Sequence, residues 1–325
     1  MIHADDRRAL VERWLAKQLE GARFTLTPAS EDASFRRYFR AELPGGASYV
    51  VMDAPPDKED CRPFVHVARL LSAAGLHAPR IHAADLAQGF LLLSDLGRRT
   101  YLEVLNEANA DALLGDAIEA LVRWQLATQP GELPPYDEAL LRRELSLFPE
   151  WYVARHRNIQ LPESRMNALE QIFRQLVASA LAQPKVYVHR DYMPRNLMLS
   201  EPNPGVLDFQ DAVYGPITYD IVSLLRDAFL SWEEQRVLDW SVRYWEKARA
   251  AGLPVDPDFG EFWRALEWMG LQRHLKVLGI FARINYRDGK PKYLADTPRF
   301  IGYARAVAKR YAVLAPLLEL LDEVE

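Results

Sequence analysis

The chain has a single cysteine, Cys61, so no disulfide can close within it, and no Cys/His spacing resembles a zinc site. Positive charge is not in excess: 40 Lys and Arg against 45 Asp and Glu leave a formal charge of -5 and a pI near 5.9. No broad basic field is therefore available to hold nucleic acid or anionic lipid. No apolar run reaches membrane-spanning length, and the charged amphipathic segment through Glu20 lacks the apolar core of a signal peptide. Internal repeats and low-complexity linkers are also missing. These absences point to a reducing, cytoplasmic setting and to a monomer with neither nucleic-acid nor membrane partners. The remainder is ordinary globular composition, 49% hydrophobic and 26% charged over 325 residues, enough for two lobes with a substantial core.

One stretch, Val186 to Asp211, carries the chemistry. His189, Arg190 and Asp191 follow a β-prone run, and Asn196 stands five positions beyond the aspartate, the catalytic-loop pattern H-R-D-x-x-x-x-N of kinases. A His-Arg-Asp tripeptide alone is most often a solvated turn. At about 5% usage per residue type, the four fixed positions arise by chance in only a few such chains per thousand, so the fuller pattern favours function. Asp208 adds a carboxylate at the end of an apolar strand. The turn from Ser200 to Gly205, with two prolines and an asparagine, suits a hairpin that brings Asp208 back toward Asn196. In that arrangement Asp191 accepts or orients the proton of an attacking hydroxyl. Asn196 and Asp208 then offer hard oxygen ligands to a magnesium ion bridging ATP phosphates.

Read in order, residues 5 to 20 predict a helix with Leu10, Trp14 and Leu15 on one face. Strands are predicted at Phe24–Thr27, Phe35–Glu42 and Ser48–Asp53, with Pro44-Gly45-Gly46 turning between the last two. The turn from Ala29 to Ser34 stands where a glycine-rich phosphate-covering loop belongs, yet it holds no glycine. Its small residues allow the backbone and the Ser34 hydroxyl to approach a phosphate, and a plain surface hairpin fits the same residues. The next strand puts Met52 where a phosphate-anchoring lysine is usual. Lys58, or Arg36 and Arg37, are the candidate replacements. A helix around Phe64, Val67, Leu70 and Leu71 stops at Gly75, and Gly89–Gly97 reads as a buried strand entering a connector. From Thr100 the periodicity turns helical. One stripe runs from Leu113 to Trp124 after an Asn109 cap, and another from Leu169 to Leu176. The expected division is therefore residues 1–97 and 98–325.

The segment from His189 to Asp227 resembles the aminoglycoside phosphotransferase family. The residues that carry the likeness are Asp208-Phe209-Gln210-Asp211, Tyr214-Gly215-Pro216 and Tyr219-Asp220-Ile221-Val222-Ser223-Leu224. Further likeness, from Asp32-Ala33-Ser34-Phe35-Arg36-Arg37-Tyr38 through Met52-Asp53-Ala54-Pro55-Pro56 to the tryptophan-rich C-terminal helices, extends over nearly the whole chain. It is to a bacterial subgroup of anomeric amino-sugar kinases, acting on N-acetylmuramate and N-acetylglucosamine in peptidoglycan recycling. The resemblance implies an α+β, bilobal protein-kinase-like fold: a small antiparallel-sheet N-lobe and a larger, mostly helical C-lobe. It also implies ATP and Mg2+ as cofactors and a small-molecule sugar as partner. It casts Asp191 as the catalytic base and Asn196 and Asp208 as metal ligands. Asp32, Ala33, Ser34 and Lys58 fall on the phosphate side, and Ser94, Asp95 and Leu96 form a hinge beside the adenine. Asp220 takes the place of a buried aspartate bracing the catalytic loop. Asp211 touches metal or substrate, or caps the next helix.

For the acceptor, the region after Trp263 offers Gln272, Arg273, His274, Lys276, Arg283 and Asn285. Cationic acceptors such as choline or an aminoglycoside call for acidic and aromatic walls, so these side chains suit a neutral or anionic sugar better. Arg273, His274 and Arg283 are the substrate candidates, the two arginines for a carboxylate. The competing readings are a kinase for another alcohol, of aminoglycoside, choline or homoserine type, and a catalytically inactive binding module.

Overall fold

The computed structural model describes residues 4–30 and 35–324. The chain forms two compact units, one of residues 1–104 with 196–211 and one of residues 105–195 with 212–325.

The first unit is built on a five-stranded antiparallel sheet. Its strands are β1 (Thr25–Ser30), β2 (Arg37–Glu42), β3 (Ser48–Asp53), β4 (Ile81–Asp85) and β5 (Phe90–Ser94), in the order β1-β2-β3-β5-β4. Helix α1 (Ala4–Gln18) lays Val11, Trp14 and Leu15 on Ala41, Val51, Phe90 and Leu92. Its 3.6-residue period meets the two-residue period of the strands. The apolar run of β5 is buried throughout, as befits a strand covered on both faces. Between β2 and β3 the turn closes with Leu43 donating to Ala47 at 2.8 Å, and Gly45 and Gly46 take φ of +101° and +91°, values that only glycine adopts without cost. β4 was not predicted; its burial alternates and only part of it faces the core.

The segment 196–211 belongs to this unit because its backbone is tied there. The Leu199 N–H donates to Arg99 O at 2.9 Å, the Val206 N–H to His77 O at 2.7 Å, and Thr100 bridges to Met198. Within it, β7 (Leu197–Met198) pairs with β8 (Gly205–Val206), the hairpin read from its turn residues.

The second unit is mostly helical: α4 (Ala110–Leu126), α5 (Glu138–Leu147), α6 (Glu163–Ala182), α7 (Tyr219–Leu225), α8 (Glu234–Ala250), α9 (Phe259–Asp288), α10 (Thr297–Arg310) and α11 (Ala315–Val324). A two-stranded ribbon pairs β6 (Lys185–Val188) with β9 (Val213–Pro216). The 30-residue α9 is the centre of this unit and is buried on most sides from Phe262 to Ala282. Asp258 caps its start, accepting from the N–H groups of Gly260 and Glu261, and Gly289 at φ +68° ends it. α5 continues as a π-helical segment over Phe148–His156. Leu147, at the junction, meets α9 at Gly279, where a methyl group would lie 2.3 Å from the Leu147 carbonyl carbon. Both predicted stripes are core, from Leu113 to Trp124 and from Leu169 to Leu176. Asn109 precedes α4 but makes no side-chain cap; its Oδ1 accepts from the Asn106 N–H instead.

Candidate active site

In the second unit β6 delivers His189, Arg190 and Asp191. Arg190 has φ +76°, a left-handed turn that carries strain in any residue with a Cβ. Asp220, fully buried at the start of α7, holds that turn, accepting from the N–H of His189 at 2.7 Å and of Arg190 at 3.0 Å. Burial raises the Asp220 carboxyl to about 7; the two N–H donors and Arg273 oppose the rise, and Asp191 adds to it. The exit of the loop is pinned by Tyr192, whose hydroxyl donates to Ala117 O at 2.8 Å. Asp191 is half-buried between these anchors, its N–H directed at His189 Nδ1 at 3.3 Å.

In the first unit the hairpin sets Asn196 against Asp208. The Leu207 N–H donates to Asn196 O at 2.9 Å, which closes the hairpin next to both side chains. Asn196 Nδ2 then lies 3.4 Å from Asp208 Oδ2, and Gln210 Nε2 donates to Asp208 Oδ1 at 2.8 Å. Asp208 takes φ +59°, and Phe209 beside it is buried against the Phe64 ring at 4.6 Å. A carboxylate and an amide side by side form a pair of oxygen donors, since the amide can present either end. That suits magnesium, which takes one or two protein ligands and completes its shell with phosphate oxygens and water. Asp211 is exposed.

The other residues on the nucleotide side of the sequence reading are placed as follows. Asp32, Ala33 and Ser34 lie outside the described residues. Met52 is fully buried. Lys58 is exposed, 4.0 Å from Asp57 and over the Phe35 ring at 5.9 Å. Arg36 pairs with Glu59, while Arg37 and Arg7 both close on the fully buried Asp53. Asp95 is held by two contacts from Arg40, by the Ser48 hydroxyl at 2.8 Å and by the Gly97 N–H at 3.0 Å. Burial works to raise its carboxyl, and these hydrogen bonds overcome it and hold it low. Its side chain is thus a strut of the connector. Ser94 Oγ accepts from the Arg80 N–H at 2.8 Å.

On α9, Arg273 is 2% and His274 1% exposed. Arg273 acts electrostatically on two buried carboxyls, Asp220 and Asp227. His274 packs on Tyr303 at 4.9 Å and Phe300 at 5.6 Å; burial, with Arg273 and Arg226, depresses its basicity and keeps the ring neutral. Arg283 is half-buried, and burial with the nearby Arg287 lowers its pKa. Ten residues along the helix separate the two arginines by about 15 Å, so they serve different places.

A family model for the phosphotransferase enzyme family matches residues 25–259. The chain belongs to that family. Among its relatives, a Pseudomonas aeruginosa protein is 61% identical over 296 residues, 91% of this chain and 87% of the relative. One from Neisseria meningitidis serogroup B is 52% identical over 322 residues, 98% of this chain and 96% of the relative. Both are named N-acetylmuramate/N-acetylglucosamine kinase. Solved structures share the fold at low identity. ADP-bound aminoglycoside phosphotransferase APH(2'')-Ib has a TM-score of 0.60 at 16% identity, covering 92% of this chain and 98% of its own. A choline/ethanolamine kinase family protein from Mesorhizobium loti has 0.65 at 14%, covering 95% and 98%. The protein-kinase-like fold of a phosphotransferase is thereby established. No helix among the described residues is long and apolar enough to cross a membrane.

This phosphotransferase also has a buried charge cluster that sequence reading missed. Glu144 on α5 accepts from Arg190 Nη2 at 2.6 Å and from the Tyr136 hydroxyl, and pairs with Lys276 Nζ at 2.9 Å. Lys276 also donates to the Tyr219 hydroxyl at 3.0 Å. Burial alone would raise the Glu144 carboxyl, but Lys276 and Arg190 hold it at about 2. A signal was present: Glu144 interrupts the apolar stripe Leu141, Leu145, Phe148, where a carboxylate needs buried partners.

Proposed function

We propose that this chain is an ATP-dependent kinase that phosphorylates the anomeric hydroxyl of N-acetylmuramate and N-acetylglucosamine, producing the sugar 1-phosphate in the cytoplasm during peptidoglycan recycling. The observation that carries this reading is the 61% identity over 91% of the chain with a relative of that name. The braced H-R-D turn and the paired side chains of Asn196 and Asp208 support it.

In this reading Asp191 orients the sugar hydroxyl and takes its proton as the hydroxyl oxygen bonds to the γ-phosphorus and the bond from that phosphorus to the departing ADP breaks. Asp220, through the His189 and Arg190 N–H groups, keeps the Asp191 backbone where that proton will be. Asn196 and Asp208 would hold magnesium, which would supply neutralisation of charge on the phosphates. Gln210 orients Asp208 by occupying its other oxygen. Asp95 and Arg40 stiffen the connector whose backbone faces the adenine. Positioning and charge neutralisation supply most of the rate in such transfers.

The test is phosphorylation of each sugar with ATP, the product identified as a 1-phosphate by 31P NMR, in the wild type and in Asp191→Asn. The wild type should turn over both sugars, and the variant should fold normally with turnover lowered at least about a hundredfold, the lower range for loss of general-base assistance. A wild type inert toward both sugars would overturn the substrate assignment. Near-normal turnover in Asp191→Asn would overturn the role of Asp191.

A further inference from the structure

Arginine is a poor choice for residue 190 on backbone grounds alone. The position is left-handed, φ +76°, where glycine would sit without strain. The side chain must therefore make a contribution that outweighs the cost of its Cβ. It does not reach solvent freely, being 20% exposed, and its guanidinium ends on Glu144, itself 6% exposed. Glu144 is in turn held by Lys276, 10% exposed, by the Tyr136 hydroxyl and by Gln272 Nε2 at 3.3 Å. The Arg190 guanidinium also lies over the Tyr136 ring at 5.9 Å.

Stability does not explain such a cluster. A buried ion pair is seldom more stabilising than apolar side chains of the same volume. Its distinctive property is geometric, because a carboxylate with several donors at fixed angles defines where each donor lies. Here one donor is the side chain of the residue before Asp191, and the carboxylate belongs to α5, which is locked to α9 through Lys276 and Gln272.

We propose that Glu144 and Lys276 are positioning residues for the phosphoryl transfer: through the Arg190 guanidinium they hold the left-handed turn that presents Asp191. Asp220 holds the same turn by its backbone, and the Glu144 clamp holds it by its side chain. Both devices are complete within the second unit, so the loop is set without any added group. The inference rests on the reading of Asp191 as the base.

The experiment compares Arg190→Gly, Glu144→Gln and Asp191→Asn for melting temperature, kcat, and KM for ATP and sugar. Glycine adopts the turn without the side chain, so Arg190→Gly should fold, with both KM values within about twofold. Its kcat should fall about a hundredfold, the scale on which a misplacement of about 1 Å acts. Methylguanidine, supplied to fill the space left by this 20% exposed side chain, should recover part of kcat in Arg190→Gly and none in Asp191→Asn. Glu144→Gln should show the same split between kcat and KM. Arg190→Gly with kcat within twofold of wild type overturns the inference, as does a failure of that variant to fold, which would make the clamp purely structural. If Asp191→Asn itself stays active, the assignment of the base has failed first; if only Arg190→Gly stays active, the clamp alone is refuted.

Discussion

Gly279→Ala tests whether packing at the α5–α9 junction supports the catalytic loop. The added methyl group would lie 2.3 Å from Leu147 C, 2.4 Å from its O and 2.5 Å from its Cβ. Ordinary carbon contacts are near 3.5 Å, so the two helices must part locally by about 1 Å. The obstacle is backbone, which cannot swing aside as a long side chain would. Overpacking of this kind costs roughly 1–3 kcal/mol, or more where backbone must move. Alanine recovers about 1 kcal/mol through its higher helix propensity. With backbone as the obstacle the upper part of that range applies, about 2–3 kcal/mol, so the net is a loss of about 1–2 kcal/mol, and for a unit of roughly 200 residues that lowers the melting temperature by ~2–8 °C. Leu147 is less than one turn beyond Glu144, so the same displacement draws the carboxylate from Arg190. Scanning calorimetry should therefore show a lower melting temperature, and steady-state kinetics a reduced kcat at temperatures where the variant is folded. An unchanged or raised melting temperature together with unchanged kcat would refute both the steric argument and its link to the loop.

Asp208→Ala should abolish magnesium-dependent ATP binding, because water does not replace a fixed anionic ligand; titration calorimetry showing wild-type affinity would contradict this. Ionisation of Glu144 should favour the folded state above its unfolded pKa near 4.5, an advantage lost as pH falls through about 2, the sign required when folding depresses a carboxyl. Urea melts between pH 5 and 2 should show that acid loss flattened in a folded Glu144→Gln variant, and parallel losses would count against it. Arg273→Ala should raise the buried Asp220 and Asp227 carboxyls further, since both lose the cation that opposes the effect of burial; unchanged titration of both carboxyls by NMR would argue otherwise. Half-buried Arg283→Ala should leave folding intact and raise KM for N-acetylmuramate more than for N-acetylglucosamine, through loss of a charge-assisted contact worth about 1.5–3 kcal/mol. Equal changes for the two sugars would place the lactyl carboxylate elsewhere.

What the sequence made legible was local. The stripes of α4 and α6 follow a 3.6-residue period that burial alone dictates, and the hairpin after Asn196 follows from Ser200 to Gly205, whose turn residues leave few alternatives. Asp191, Asn196 and Asp208 could be nominated together because they fall within 18 positions of one another. β4 escaped notice because Ile81–Asp85 has neither an apolar run nor β-branched enrichment, and pairing with β5 makes it a strand. Asn109 stands at the N-cap position expected of it, yet its side chain turns to the Asn106 N–H instead of the helix, since Asn side chains satisfy neighbouring backbone in several ways.

Charge partners lie beyond local reading, and they decide what the candidate cations can do. Arg190 and Glu144 are 46 positions apart, and Arg40 and Asp95 are 55. Nothing in either neighbourhood announces the other. Pairing sorts the cations proposed to replace a phosphate-anchoring lysine. Lys58 stands near Asp57, and Arg36 pairs with Glu59. Arg7 and Arg37 share a single carboxylate, the fully buried Asp53, with Nε contacts of 2.9 and 3.0 Å to its two oxygens. Two guanidiniums thus converge on one carboxylate. That carboxylate stands at the end of β3, directly after Met52, and Arg37 begins β2. Beside the methionine that stands where a lysine is usual, Asp53 gathers two arginines at this end of the sheet.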